Sequence, residues 1–385
     1  MNVSDKIKYV GVDDLDIDLF ESQYVVPEGM SYNSYVILDE KTAVMDTVDA
    51  RKTDEWINNV KVALGGKNLD YIVCLHMEPD HAGSMMKAME TFPTAKVVGN
   101  AKTFTYMAQF FDVNLEGRKV EVKDGESLSL GEHNLTFVCA PMVHWPEVMV
   151  AYESSEKVLF AADAFGKFGA ISKYDGDWAC EARRYYFNIC GKYGVQVQSL
   201  LKKAAALDIK TIAPLHGPVL KENLGYYIDL YNTWSSYGVE SEGVLVAFAS
   251  IHGNTRKAAE KIASILEKQG AKKVVVSDLS RDDEAEVIED AFRYGRMIIA
   301  APTYDGGLFP PMESFLSHLK SKNYQKRTVG IIENGTWAPM SGKLMKAALE
   351  SMKEIKICDT VVTIKSALKA EQEDSLVALA KEVLA

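Results

Sequence analysis

Between residues 244 and 364 the chain repeats one pattern, a short apolar run followed by an amphipathic stretch of helical period. Apolar runs read at 244–250 (VLVAFAS), 273–277 (KVVVS), 297–301 (MIIAA), 328–333 (TVGIIE) and 360–364 (TVVTI), and a last amphipathic stretch covers 370–384. Runs of that length bounded by helices read as buried strands. Strands that alternate with helices stack into one parallel sheet with helices on both faces. The back of the chain is therefore expected to form a doubly wound, five-stranded parallel sheet.

The front is less regular. Short strands read at 33–38, 42–46, 70–75, 96–98, 135–140, 147–152, 158–162 and 211–214, mixed with a few helices, which predicts an α/β sandwich of two sheets. The segment WSSYGVESEGVLVAFAS passes from a helix-like stretch through polar, glycine-containing residues into the first strand of the back half. We place the boundary there, with domains at 1–240 and 241–385 and a connector near 236–243.

Charge excludes some classes of function. The 385 residues carry a net charge of −11, which disfavours binding to nucleic acid or an anionic membrane surface. The N-terminus has no apolar signal core and no run of about 18 apolar residues occurs, so a cytoplasmic protein is expected. Cys74, Cys139, Cys180, Cys190 and Cys358 are scattered with no C-x-x-C pair, so no rubredoxin- or ferredoxin-type centre is built in.

The densest chemistry lies in CLHMEPDHAGS, residues 74–84, where His76, Glu78, Asp80 and His81 follow an apolar run. Three more residues of ligand type also follow apolar runs: His144 in APMVHWPE, Asp163 in LFAADAF and His216 in IAPLHGP. Loops at one edge of a sandwich can bring all seven together. Four imidazoles and three carboxylates are too many for one tetrahedral ion and suit two ions sharing a bridging carboxylate. Taken singly, a His or Asp after a strand is a capping or hydrogen-bonding residue, and we read His133, His252 and His318 in that way.

In an open parallel sheet, ligands bind at the carboxyl ends of the strands. Three such ends carry unusual loops. SIHGNTRKAAEKIA offers hydroxyls and backbone N–H groups at a helix start, a site for a phosphate, although no Walker lysine is present. PTYDGGLFPP has a close-approach Gly306–Gly307 pair and the ring of Tyr304, and ENGTWAP supplies Trp337. A phosphate cradle with two aromatic loops suits a flat phosphorylated ring.

The three loops, in this order, resemble the FMN-binding loops of flavodoxin-like domains. The resemblance implies that Ser250, Ile251, His252, Gly253, Asn254 and Thr255 surround the FMN phosphate. Pro302, Thr303, Tyr304, Asp305, Gly306 and Gly307, with Asn334, Gly335, Thr336, Trp337 and Ala338, would enclose the isoalloxazine. His252 stands where many flavodoxins have a hydroxyl residue, and backbone N–H groups do most of the binding there.

The ligand pattern in turn resembles the metallo-β-lactamase superfamily, with one departure: Glu78 replaces the second histidine of H-x-H-x-D-H. Zinc hydrolases favour nitrogen at that position, whereas a mixed imidazole and carboxylate shell suits non-haem iron. A di-metal domain followed by a flavodoxin-like domain resembles the flavodiiron proteins (A-type flavoproteins, rubredoxin:oxygen oxidoreductase-like), here in their minimal two-domain form. The resemblance covers essentially the whole chain. It implies that His76, Glu78 and His144 hold one iron, that Asp80, His81 and His216 hold the other, and that Asp163 bridges them. It also implies FMN as electron relay and an external donor such as rubredoxin. The implied reaction is reduction of dioxygen to water or of nitric oxide to nitrous oxide. A head-to-tail homodimer, or a dimer of such dimers, would follow, with Trp145 near the partner's flavin. Tyr185 and Tyr186 of RRYYFN are either hydrogen-bond donors to a bound intermediate or plain packing residues. Two other readings use parts of the same pattern. A zinc metallo-hydrolase fused to a flavodoxin-like domain would share most ligands, and a pure electron carrier would need only the back half.

Overall fold

The computed structural model describes residues 2–385. It contains two compact units: one runs from the N-terminus to Tyr186 and resumes at Tyr193–Asn232, and the other comprises Phe187–Lys192 and Thr233–Ala385. The division by compactness thus falls a few residues before the linker read from the sequence, and a six-residue segment of the front half belongs to the back unit.

The first unit is built on two sheets. One runs in the order Ile7–Tyr9, Tyr35–Ile37, Ala43–Met45, Tyr71–Val73, Lys96–Gly99 and Lys119–Glu121. Its first two pairings are antiparallel and the rest parallel. The other runs Ser127–Ser129, Asn134–Cys139, Met149–Glu153, Val158–Phe160 and Thr211–Ala213, antiparallel except for its last pair. All three residues are buried in each of Ala43–Met45, Val158–Phe160 and Thr211–Ala213, so these strands are covered on both faces. Helix Thr53–Leu64 shows how the layers close. It buries Trp56, Ile57, Val60 and Leu64 along one stripe and stops at Gly65, whose backbone is left-handed (φ 56°).

The second unit has strand order Val274–Asp278, Ser241–Phe248, Tyr294–Tyr304, Thr328–Asn334, Lys356–Ile364, all parallel. This is the doubly wound order 2-1-3-4-5, whose switch point lies between the first and third strands in sequence. A two-residue strand, Gly307–Leu308, folds back on the end of Tyr294–Tyr304 and adds a sixth member that the periodicity did not predict. One face of the sheet (Val244, Val246, Phe248, Ile298, Ala300, Val362) packs against helices Asn254–Lys268 and Glu373–Leu384 through Ala258, Ile262, Leu266, Leu376 and Leu379. The alternation of buried residues along each strand directs the intervening side chains to the opposite layer. Among the described residues, no helix is long and apolar enough to cross a membrane.

Candidate functional site

In the first unit, four strand ends deliver the seven residues. Tyr71–Val73 runs through His76 into a four-residue helix, Pro79–Ala82. Glu78 precedes that helix in extended conformation and Pro79 starts it, so Asp80 and His81 fall on its single turn. His144 follows Asn134–Cys139, Asp163 follows Val158–Phe160 and His216 follows Thr211–Ala213. The turn carrying Asp163 packs tightly around Gly166. A Cβ there would lie 3.0 Å from the carbonyl oxygen of Asp163 and 3.4 Å from Cβ of His216.

The loops bring the seven together as two groups, His76, Glu78, His144 and Asp163 in one, and Asp80, His81 and His216 in the other; within each, the donor atoms lie within 4.8 Å of one another. Asp163 faces both groups. Its Oδ2 is 3.3 Å from Nε2 of His76 and 3.2 Å from Nε2 of His144, while its Oδ1 is 3.0 Å from Nε2 of His81 and 3.7 Å from Nε2 of His216. Glu78 Oε2 lies 3.2 Å from His76 Nε2 and 2.8 Å from His144 Nε2, and Asp80 Oδ2 lies 3.2 Å from Nε2 of both His81 and His216.

These atoms converge without bonding one another fully. Both carboxylate oxygens of Asp80 and of Asp163, and Nε2 of His81 and His216, are buried with no hydrogen-bond partner among the described residues. Charged groups buried in that way are costly unless a cation satisfies them. The field has the right sign for one. Burial opposes charge on His144, yet Asp163 and Glu78 outweigh it and push the imidazole up to about 9. Burial would raise Glu78, but the His144 and His76 imidazoles hold its carboxyl well below the usual range. A pocket that so favours a proton also favours a metal dication, and the donor set fits two.

Four further groups hold the ligands and escaped the sequence reading. Glu147 Oε1 accepts from Nδ1 of His76 at 2.8 Å and from the Met77 N–H at 2.9 Å. Asp46 Oδ1 accepts the N–H groups of Leu75 (2.7 Å) and His76 (3.2 Å), pinning the start of the ligand loop. Burial pushes that carboxyl up to about 7, against the opposing pull of His81. Nδ1 of His216 donates to the Ser31 carbonyl at 2.7 Å, and Thr47 Oγ1 donates to the His81 carbonyl. Glu147 was in plain view as the last residue of HWPE, and Asp46 ends an apolar run as the ligands do.

Around this core, Tyr185 packs its ring 5.4 Å from His216, and Tyr186 lies 5.1 Å from Tyr231. Trp145 stands edge-on to His76 at 5.4 Å and stacks on Phe110. Glu78 and Asp80 also line a cavity of about 360 Å³ together with Leu19, Phe20, Glu21, Tyr32 and Arg51. Glu21 on its rim is pushed up to about 7, by partial burial first and by the charge of Glu78 second. Of the three remaining histidines, His133 lies between Asp39 and Glu156 and His318 bonds Glu284, while His252 lines the cavity of the second unit.

In the second unit a cavity of about 580 Å³ opens at the carboxyl ends of the strands. It is lined by Ser250, Ile251, His252, Asn254 and Thr255, by residues 302–306, by residues 334–338, and by Met340 and Ser366, which the sequence reading did not include. Gly253 does not line it. It precedes helix Asn254–Lys268 with a left-handed backbone (φ 83°), and its N–H is held by Ser250 Oγ at 3.0 Å. The first N–H groups of that helix have no partner within the helix and suit an anion. Gly307 is likewise outside the lining, paired with Tyr304. Among the described residues lining the cavity there is no Lys or Arg. Trp337 is 82% exposed, with Tyr304 and Ile251 also exposed on the rim. The loops are latched from behind. Asn334 accepts from the Ser366 N–H (3.0 Å) and donates to the Ser366 carbonyl (2.9 Å) and to Thr255 Oγ1 (3.3 Å).

A sandwich with two metal-ligand triads and a doubly wound unit with a flat, phosphate-ready cavity define a two-part metalloflavoprotein class, and comparison with known proteins places the chain within it. Residues 30–217 match the ODP family beta lactamase and residues 245–362 the flavodoxin domain. An uncharacterized protein of Methanocaldococcus jannaschii is 30% identical over 324 residues, covering 83% of this chain and 81% of that protein. A nitric oxide reductase of Moorella thermoacetica is 29% identical over 393 residues, 100% of this chain and 98% of that one. The rubredoxin oxygen:oxidoreductase of Desulfovibrio gigas superposes with a TM-score of 0.92 at 25% identity, over 100% of this chain and 97% of that chain. The chain belongs to the flavodiiron protein family.

Proposed function

We propose that this chain reduces dioxygen to water, nitric oxide to nitrous oxide, or both, at a non-haem di-iron centre supplied with electrons by FMN. The carrying observation is the pair of triads, each of two imidazoles and one carboxylate, that face the two oxygens of the buried Asp163. His76, Glu78 and His144 would hold one iron, Asp80, His81 and His216 the other, with Asp163 between them. FMN would sit in the cavity of the second unit, its phosphate at the start of helix Asn254–Lys268 and its ring between the Tyr304 and Trp337 loops. Residues 1–240 are then the di-iron domain and 241–385 the FMN domain.

When bound, the irons supply one-electron redox steps and open positions for a diatomic ligand, and FMN supplies the link from a two-electron donor to those steps. The residues do the rest. Seven side chains supply the donor set; Glu147 and Ser31 hold the imidazoles of His76 and His216, and Asp46 pins the start of the ligand loop. The cavity beside Glu78 and Asp80 reaches these two ligands and has ample room for a diatomic. Glu21 places a carboxyl on its rim, and both reductions consume protons. Electrons come from a separate donor such as rubredoxin, in the cytoplasm, and the working unit is a head-to-tail homodimer or a dimer of such dimers, in keeping with the family.

Metal analysis of anaerobically purified protein, followed by steady-state turnover with one chemically reduced donor, tests this reading. Two irons, one FMN and consumption of dioxygen or nitric oxide are expected. Zinc in place of iron, with neither gas consumed, would leave the hydrolase reading standing. For the assembly, a chain damaged at Gly253 and Thr255 is mixed with His81→Ala chains under subunit exchange. Regained activity supports pairing across chains, and none excludes it.

A further inference from the structure

The two triads match in composition but not in what stands behind their imidazoles. His76 leans on a carboxylate: its Nδ1 donates to Oε1 of Glu147 at 2.8 Å. Glu147 is 0% exposed, and its Oε2 has no hydrogen-bond partner among the described residues. On the other side, Nδ1 of His216 donates to a neutral acceptor, the Ser31 carbonyl, at 2.7 Å. Nδ1 of His81 has no hydrogen-bond partner among the described residues. Asp46 does not restore the balance through a ring nitrogen, since the hydrogen bonds it accepts on Oδ1 come from backbone N–H groups.

A carboxylate on the rear nitrogen makes an imidazole a stronger electron donor and fixes which nitrogen faces the metal. The hydrogen-bonded carboxylate thus favours the higher metal charge in front of His76. Accepting the di-iron reading above, we infer that Glu147 makes the centre electrically unequal. The iron held by His76, Glu78 and His144 is the last to be reduced from ferric to ferrous, and Glu147 sets how far the two one-electron reductions stand apart. Glu147 is a positioning residue here, since it touches no ligand position itself.

The test is a dithionite titration, with mediators, of protein carrying FMN and iron, followed by electron paramagnetic resonance. The half-integer-spin signal of the ferric–ferrous pair is read as a fraction of centres. In the unaltered protein that fraction should rise well above the half expected for two equal, independent sites. In Glu147→Gln the comproportionation constant should fall about tenfold, a narrowing of about 59 mV between the two one-electron potentials. Glu147→Asp, which keeps the charge, should recover most of the loss, and the FMN potential should not move in either variant. Iron is counted in every sample. Fewer than two irons in the unaltered protein defeats the di-iron reading itself. Two irons with equal signals in the unaltered and Glu147→Gln proteins overturns the inference. If Glu147→Gln retains no iron, Mössbauer spectra of the half-reduced unaltered protein decide, and ferric–ferrous pairs in no more than half of the centres overturn it.

Discussion

The two candidate sites are made in opposite ways. The metal pocket is assembled from ionisable side chains, most of them fully buried, whose charges do not cancel by hydrogen bonding among themselves. The flavin cavity has no Lys or Arg among its described lining residues, and its largest ring, Trp337, faces solvent. One site is selective because an uncompensated field makes the wrong occupant costly. The other is selective because a stiff parallel sheet holds three loops at one edge and offers backbone dipoles and ring faces. Strongly charged ligands are met by burying countercharge, and a large, flat, weakly charged ring by shape.

The sharpest break of this contrast is Asp163→Ala. It removes the one carboxylate common to both triads, so turnover should fall below detection and iron to one per chain or less, with FMN content unchanged. Flavin absorbance and metal analysis of the same sample read both; joint loss of FMN would refute the independence of the sites. The converse lesion is Asn334→Ala, which removes the latch between the third loop, Ser366 and Thr255. Neutral hydrogen bonds contribute about 1 kcal/mol each, so FMN affinity should weaken about tenfold or more while iron stays at two. Trp337→Ala probes the ring face alone. Loss of one aromatic contact of about 0.5–1.5 kcal/mol should weaken FMN binding about three- to tenfold, seen by flavin fluorescence on dilution.

The smallest effect comes from a cluster that uses the metal pocket's residue types with the opposite geometry. His133 is bonded on both sides, to Asp39 through Nδ1 at 2.7 Å and to Glu156 through Nε2 at 3.1 Å. Burial lowers its affinity for a proton, but these bonds, with the charge of Glu153, outweigh it and raise its pKa. A raised imidazole stabilises the fold fully below its unfolded value, about 6.5, and loses that contribution as pH rises through the folded value. His133→Gln should therefore lower thermal stability more at pH 6 than at pH 9, by about 0.5–1 kcal/mol after solvent screening. An equal loss at both pH values would show that the imidazole is neutral there.

The residues that were legible in the sequence share one signal: each stands at the end of an apolar run. That holds for His76, His144, Asp163 and His216, and for the flavin loops, because a buried strand must emerge at an edge and its next residues are set there. The five long strands of the second unit were legible for the same reason. What escaped carries no such signal. Strands such as Leu19–Phe20, Val12–Asp14 and Ser127–Ser129 are too short to show a period. Ser31 acts through its carbonyl, which any residue could supply, and Ser366 reaches the cavity only through the loop after the last strand. Glu147 lies within HWPE, but nothing in the sequence sets its carboxylate behind His76.

One feature of the metal pocket also bears on how the protein is made. Its donors are dispersed along the chain, and 140 residues separate His76 from His216. Contacts that distant in sequence form late, because the intervening loop must close first. During synthesis, His76, Glu78, Asp80 and His81 leave the ribosome long before their partners and present only a fragment of either coordination shell. The complete cage exists only once strand Thr211–Ala213 has docked. The second triad therefore cannot be complete until His216 has been synthesised and its strand has joined the sheet.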